Sequence, residues 1–251
     1  MKRSLCLILV ALVVGCSSFF NRQVIKKEEI NLDLPAFHTL VVGGQNNLEL
    51  INGDFKIAAV GNSGLGKQCD FKVVAGELRI NCDCQAETIR VWTNNLKRLV
   101  VIDRALVSSR NFESRGTEII VRNLGSLNLK GTWEISKLSQ YGKGKVNVLW
   151  IDNRLVPIEI EGSGSGVISL AGKADYLNVR LTRHSELQAQ YLRAKNVSIV
   201  TENSSVAEIL PLKCLKASAS DRSNILYHKR PQEIEAITSK EGVVMFFGSI
   251  H

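Results

Sequence analysis

Four histidines are the residues best suited to metal binding or to proton transfer near neutral pH. Each stands alone in the sequence, without a His, Cys or carboxylate at metal-ligand spacing: His38, His184, His228 and His251. The pair in Cys82-Asp83-Cys84 has one intervening residue, whereas zinc sites usually have about two to four. The sequence therefore predicts no metal site and no cofactor.

The run Gly162-Ser163-Gly164-Ser165-Gly166 matches the letters of two catalytic or binding motifs. A phosphate-binding loop also needs a following helix and a Lys-Ser/Thr pair, and neither is predicted here. A nucleophile elbow needs a strand-to-helix turn, which is not predicted either. We interpret the run as a turn, because Gly and Ser are residues that turns favour.

The N-terminus has the features of an export signal. Met1-Lys2-Arg3 is basic, and the apolar stretch 5–14 is shorter than the roughly 20 residues that span a bilayer. The stretch ends in Leu12-Val13-Val14-Gly15-Cys16, which resembles the lipobox of bacterial lipoproteins. The resemblance implies that the Cys16 thiol receives a diacylglycerol, that the chain is cleaved before Cys16, and that the new amine is acylated. Ser17, in place of Asp, resembles the pattern for transfer to the outer membrane of Gram-negative bacteria. The alternative is a plain secretory signal.

A hairpin is predicted where Val73-Val74 and Leu78-Arg79-Ile80 flank Ala75-Gly76. Counting outward from a two-residue loop, Cys69 faces Cys82 at a non-hydrogen-bonded site, where Cα atoms lie about 4.5 Å apart. That separation suits a disulfide, and export places the chain in an oxidising compartment. We therefore predict a Cys69–Cys82 disulfide. A one-residue error in the turn would instead make Cys84 the partner.

The elements that position these residues follow a repeat of about 20 residues. One series of apolar positions runs through Val107, Leu127, Val148, Ile168, Leu187, Val206 and Ile225, and a second runs through Leu177, Val197, Leu215 and Ile234. Short alternating strands at a fixed period are typical of a β-solenoid, in which each coil buries its apolar face against the next. A β-sandwich or barrel is the alternative, since it also has many short strands.

Stacked coils could bring separated charges together. Arg180, Arg183, Glu202 and Asp221 lie near one-coil offsets, and β-helices host polysaccharide lyases and hydrolases. This is the enzyme alternative, but charge ladders on a solenoid surface are commoner, so we predict no catalytic site. Trp92, Trp133 and Trp150 stand at scattered positions, which favours packing within coils over carbohydrate stacking. Cys214 is predicted to be a buried small apolar residue.

Composition argues against a nucleic-acid partner. The net charge is +8, of which Lys2 and Arg3 supply two, and aromatic residues make up 6% of the chain. Basic residues do not cluster with aromatics, so base stacking would have few platforms. The predicted organisation is a signal peptide over 1–15, a lipidated tether over 16–31 and one solenoid domain over 32–251.

The chain resembles a family of exported bacterial proteins with the putative auto-transporter adhesin head GIN domain. The similarity covers roughly 34–244 and includes the segments 37–42, 47–50, 53–57 and 73–80, the Gly-Ser turn at 162–166, and the closing segment 223–234. The turn occurs once, and the later positions read RHSEL, NSSVA and DRSNI. The resemblance implies a right-handed parallel β-helix, often lipid-anchored, and carries no catalytic residue.

These observations predict an all-β protein with a parallel β-solenoid and an antiparallel hairpin region near its N-terminus. The expected function is structural, adhesive or binding, in the bacterial outer membrane, with the membrane as partner through Cys16 and a glycan or envelope protein as a further partner. A chaperone-like role in the periplasm fits the same sequence. The alternative from another class is the carbohydrate-active enzyme.

Overall fold

The computed structural model describes residues 27–62, 69, 71–82 and 88–248. The predicted signal peptide, Cys16 and Cys84 lie outside the described residues. Every regular element of the described residues is a β-strand. No helix in this part of the chain is long and apolar enough to cross a membrane.

Eighteen strands are present in the described residues. Their bounds are β1 Lys27–Asp33, β2 Thr39–Val42, β3 Asn47–Ile51, β4 Lys56–Asn62, β5 Val73–Val74, β6 Glu77–Ile80, β7 Thr88–Trp92, β8 Arg98–Val101, β9 Leu106–Asn123, β10 Ser126–Gly142, β11 Lys145–Asn153, β12 Ile158–Gly164, β13 Val167–Thr182, β14 Glu186–Thr201, β15 Val206–Ala219, β16 Asn224–Tyr227, β17 Glu233–Thr238 and β18 Val243–Phe246.

From β9 onward the chain winds into stacked parallel coils, so the predicted β-solenoid is confirmed, with about seven turns. The longest strands change register with their neighbours at bulges, which mark the corners between three faces. We call these the first face (106–109, 126–129, 145–148, 167–170, 186–189, 206–209, 224–227 and 243–246), the second face (112–114, 131–133, 151–153, 171–174, 191–194 and 210–211) and the third face (118–121, 137–142, 158–164, 176–182, 196–201, 214–219 and 233–238).

Stacked apolar side chains fill the interior. The second predicted series is confirmed, because Leu177, Val197, Leu215 and Ile234 pair in register on the third face. The first series is wrong at two positions. Val148 pairs with Leu170 rather than Ile168, and Val206 lies one residue out of phase, since Ala207 faces the core. The corners vary in length between coils, so a fixed step drifts out of register.

The N-terminal region departs from chain order. Strand β2 lies between β6 and β8, and β3 lies between β7 and β9, so the coil made of residues 77–92 stacks outside the coil made of residues 39–51. The predicted hairpin is confirmed, with Val73 opposite Leu78 and Val74 opposite Glu77. Antiparallel pairing of β4 with β1 and β7 confirms the predicted antiparallel region.

The predicted tether over 16–31 is too long at its C-terminal end. Residues 27–33 form β1, which pairs along its whole length with β4, so Ile30 lies opposite Ala59 and Leu32 opposite Ile57. The apolar alternation that directs this pairing is confined to Ile30 and Leu32, and the flanking charges obscured it. The described part of the predicted tether, residues 27–31, therefore belongs to β1.

The two ends of the solenoid differ. At the N-terminal end the antiparallel strands β4 and β1 continue the sheet beyond β7, whereas at the other end the parallel strands β17 and β18 pair with β15 and β16 respectively. Every residue of β17 is exposed, including Ile234, which is 50% exposed although its partner Leu215 is buried. Strand β18 forms the last described rung of the first face.

The turns between the third and first faces stack as a column. The pairs Arg183-His184, Asn203-Ser204, Asp221-Arg222 and Lys240-Glu241 all have positive φ at both residues, the pattern of type I′ turns. A serine follows three of them, Ser185, Ser205 and Ser223, and each is 1% exposed or less. The Ser205 hydroxyl lies 2.8 Å from the carbonyl oxygen of Glu202 and 3.2 Å from that of Leu181. Buried serines thus add side-chain hydrogen bonds to carbonyl groups of their own turn and of the neighbouring coil.

Candidate binding face

The three tryptophans have different environments. Trp133 is fully buried and stacks on Phe112, with ring centroids 5.1 Å apart. Trp92 is half-buried beneath the Lys56 ammonium, which lies 5.6 Å from its ring centroid. Trp150 is 70% exposed. The packing interpretation therefore holds for Trp133 and is wrong for Trp150.

A bulge positions Trp150 at the corner between the first and second faces. Val148 pairs with Leu170 and Ile151 pairs with Gly172, so Leu149 and Trp150 together lie opposite the single residue Ala171. Trp150 has φ of 69°, a left-handed conformation that is unusual for a large side chain. Bulges of this kind redirect a side chain out of the regular alternation, and here the redirected ring points to solvent.

A second exposed ring follows along the same corner. Tyr191 pairs with Ala171 and is 60% exposed. Trp150 and Tyr191 thus stand two coils apart, about 9.5 Å along the solenoid axis, since neighbouring strands lie about 4.8 Å apart. The small side chain of Ala171 lies on the coil between them. Sequence spacing alone did not reveal this pair, because the bulge at Trp150 interrupts the repeat.

Charged side chains form the next column of the second face. Lys173 pairs in register with Asp152 on one side and with Arg193 on the other. Asp152 accepts hydrogen bonds from the Arg154 guanidinium at 2.9 and 3.1 Å. Those hydrogen bonds, helped by the charges of Arg154 and Lys173, hold the pKa of Asp152 below its usual value. Lys173 and Arg193 are both exposed to solvent.

The most connected carboxylate lies on the third face. Glu161 accepts hydrogen bonds from the Lys137 ammonium at 2.9 Å, the Tyr141 hydroxyl at 2.7 Å and the Ser139 hydroxyl at 3.4 Å. The Lys137 and Tyr141 hydrogen bonds lower the pKa of Glu161, and the Glu161 hydrogen bond raises the pKa of Lys137. A carboxylate held ionised by three donors is a poor general acid near neutral pH, so this cluster joins neighbouring coils and offers no acid–base pair.

The residues of the enzyme alternative are only partly brought together. The Arg180 guanidinium lies 3.5 Å from the Glu202 carboxylate. Asp221 pairs instead with Lys240 at 3.3 Å, and Arg183 lies exposed in its turn. The contacts are pairwise and exposed to solvent, and they line no enclosed cleft within the described residues.

The remaining residues with reactive side chains are dispersed. His228 is 6% exposed and its Nε2 lies 2.9 Å from a Glu208 carboxylate oxygen. No group of three or more His, Cys, Asp and Glu suited to a metal ion occurs in residues 27–62, 69, 71–82 and 88–248. Cys69 and Cys82 form a disulfide, with Cα atoms 4.7 Å apart. Cys214 is a free thiol and is half-buried rather than buried as predicted.

Solved structures of other proteins share this architecture. A putative lipid binding protein from Parabacteroides distasonis has a TM-score of 0.77 and 16% identity, and a putative adhesin from Parabacteroides merdae has a TM-score of 0.76 and 18% identity. A putative adhesin from Bacteroides fragilis has a TM-score of 0.60 and 14% identity. Each alignment covers 90% of this chain and 97% of the other. At these identities the likeness establishes the fold alone.

No curated protein matches the sequence. A family model does match, over residues 36–231, and its description is "Putative auto-transporter adhesin, head GIN domain". The match spans most of the chain and includes every coil from β2 to β16. The chain therefore belongs to the putative auto-transporter adhesin, head GIN domain family.

Proposed function

We propose that this protein is a lipid-anchored binding module of the bacterial cell envelope, with its solenoid held at the outer membrane through Cys16. The observation that carries this proposal is the filled interior. One core cluster runs from Phe37 to Ile225 and consists of apolar side chains stacked coil on coil. Such a solenoid offers its partners long, straight outer faces.

The charge pattern supports binding rather than catalysis. Carboxylates on the third face are tied to cations on the same or a neighbouring coil, as in the pairs Arg98–Glu118 and Lys137–Glu161. The family match and the adhesin names of two structural relatives agree with a binding role. The relative from Parabacteroides distasonis carries a lipid-binding name, so a lipid is a second ligand class to test.

The anchor is tested by membrane fractionation of cells that produce the full chain. The wild-type protein should stay with membranes through a carbonate wash, and Cys16→Ser should move to the soluble fraction. Cys214→Ser is the matched control, because it removes a thiol from the solenoid and leaves the lipobox intact. Retention of Cys16→Ser in the washed membranes would refute the anchor.

In this proposal, Ser17 determines whether the lipidated protein is transferred to the outer membrane or stays in the inner membrane. Ser17→Asp should shift the protein from outer-membrane to inner-membrane fractions of a density gradient, because Asp after the lipidated cysteine departs from the pattern for transfer. Ser18→Asp, one residue further along, should leave the distribution unchanged. An unaltered gradient profile for Ser17→Asp would contradict the proposed sorting.

A further inference from the structure

We propose that the corner between the first and second faces binds an acidic polysaccharide through Trp150 and Tyr191, with Lys173 and Arg193 contacting its anionic groups. The inference rests on the proposed binding function, and it names the ligand class and the residues. A chain of sugar rings would lie along the solenoid axis across Ala171.

The conformation of Trp150 is the first support. A left-handed backbone is unfavourable for a residue with a side chain, and Trp150 is 70% exposed, so burial of its ring offsets little of that cost. Unfavourable backbone geometry persists where the surrounding structure enforces it, and such sites cluster where ligands bind. The bulge between Val148 and Ile151 enforces the geometry here.

The spacing of the two rings is the second support. Aromatic ring faces carry partial negative charge, and the C–H groups on a sugar face carry partial positive charge, so the two surfaces attract. Trp150 and Tyr191 lie about 9.5 Å apart along the axis. A polymer can contact both rings at once, whereas a single sugar can reach only one. Ala171, on the coil between the two rings, has only a methyl side chain.

The adjacent cations indicate the charge of the ligand. Lys173 and Arg193 lie on neighbouring coils, and within the described part of the chain neither side chain forms an ion pair or a hydrogen bond. Asp152, the carboxylate in their column, is already bound by Arg154. The unmatched positive charge fits carboxylate or sulfate groups, and the planar guanidinium of Arg193 matches a carboxylate with two parallel hydrogen bonds.

The experiment is calorimetric titration of the full-length chain in detergent with polygalacturonate, hyaluronan and dextran sulfate, and with dextran as the neutral polymer. We expect at least one acidic polymer to bind and dextran to bind more weakly. Trp150→Ala and Tyr191→Ala should each weaken binding at least about tenfold, as truncation of a central aromatic contact does. The double variant Lys173→Glu/Arg193→Glu should weaken it similarly and reduce its salt dependence.

Two matched controls separate this site from general attraction to a basic protein. Tyr176→Ala removes a tyrosine that is 50% exposed at the start of the third-face segment of β13, and Lys145→Glu reverses a single positive charge on the first face, half the charge change of the double variant. Both should bind like the wild type. Urea unfolding curves should be unchanged for Trp150→Ala, because its ring is largely outside the core.

The proposal would be overturned by failure of all three acidic polymers to bind, by wild-type affinity of Trp150→Ala and Tyr191→Ala, or by equal weakening in the control variants. Competition by dihexanoyl phosphatidylglycerol, a short-chain lipid used below its micelle concentration, would also overturn it if that competition depended on Trp150, since the site would then bind a lipid headgroup. The assay does not depend on Cys16, so its failure would leave the membrane anchor untouched.

Discussion

The hydroxyl oxygens of Thr201 and Ser223 lie 2.9 Å apart in the interior of the solenoid, although 22 residues separate them in the sequence. The Ser223 oxygen also lies 2.8 Å from the carbonyl oxygen of Thr201 and accepts from the Ser220 backbone N–H at 3.1 Å. One buried hydroxyl therefore connects two coils and closes the turn between them.

Ser223→Ala should lower the free energy of unfolding by about 1–3 kcal/mol, because it leaves the buried Thr201 hydroxyl without its Ser223 partner. Urea unfolding followed by circular dichroism measures the change. Ser165→Ala, at an exposed serine of another turn, should have little effect. Equal stability of the two variants would show that the buried serine contributes nothing beyond its volume.

Gly172 is expected to be sensitive to substitution because its coil lies against the bulge that carries Trp150. Its φ is 134°, and a Cβ there would lie 2.2 Å from the carbonyl oxygen of Ile151. Gly172→Ala should therefore cost about 3 kcal/mol, from backbone strain together with the clash.

Gly116→Ala is the matched control for this substitution. Gly116 also has positive φ, 65°, but the nearest atom to its Cβ would be a Glu134 carboxylate oxygen at 3.8 Å. Its cost should be about 1–2 kcal/mol, the penalty of the left-handed backbone alone. Thermal unfolding of both variants measures the two losses of stability. A larger loss for Gly172→Ala is expected from the contact between the new Cβ and the Ile151 carbonyl oxygen, and equal losses would argue against that contact.

The Cys69–Cys82 disulfide should stabilise the N-terminal coils. Closing a loop across the sequence separation of 13 residues is worth about 3 kcal/mol in the chain-entropy model, so Cys82→Ser should lower stability by about that amount. Cys84→Ser is the control and should be neutral. Peptide mapping without reductant should recover residues 69 and 82 in one linked fragment, and a linked fragment containing Cys84 instead would refute the assignment.

Glu161 should make a small pH-dependent contribution to stability. Its pKa is lowered in the folded protein by the donors Lys137 and Tyr141, so the contribution is complete above the unfolded glutamate pKa of about 4.3 and is lost as the pH falls through the folded value. Because Lys137 and Glu161 are partly exposed, we expect less than about 1 kcal/mol.

Carboxyl-carbon NMR titration of Glu161 measures this shift directly. Lys137→Met should raise the midpoint toward the ordinary glutamate value, because it removes the largest cause of the shift. Lys145→Met, which removes a charge on another face, should leave the midpoint where it is. An unchanged midpoint in Lys137→Met would mean that Tyr141 and Ser139 suffice.

The sequence predicted the architecture well because the physical cause of the fold is repeated. Each coil needs apolar residues at equivalent positions around the coil. The third-face series from Leu177 to Ile234 therefore matches the observed register at every step. The hairpin at Ala75-Gly76 was predicted for a local reason, since both residues adopt the positive φ that a two-residue turn requires.

Features that depend on corners were predicted less well. The predicted series places Val148 and Val206 out of register with the apolar residues of neighbouring coils, because bulges add or remove a residue between faces. The bulge between Val148 and Ile151 turns the Trp150 side chain outward. Neither the residue types nor their spacing in the sequence indicate that bulge. Strand β1 was missed because its pairing partner, β4, follows more than twenty residues later in the sequence.

By itself the sequence determined that the chain forms a stacked β-solenoid, because alternation and a repeat of about 20 residues allow every coil to bury its apolar side chains only against its neighbours. Tertiary structure decided which rings and charges meet on the outer surface. The reason is that surface position depends on the exact length of each corner and on the order in which coils stack. Corner length determines the alignment of Trp150, Ala171 and Tyr191. Stacking order places coil 77–92 outside coil 39–51.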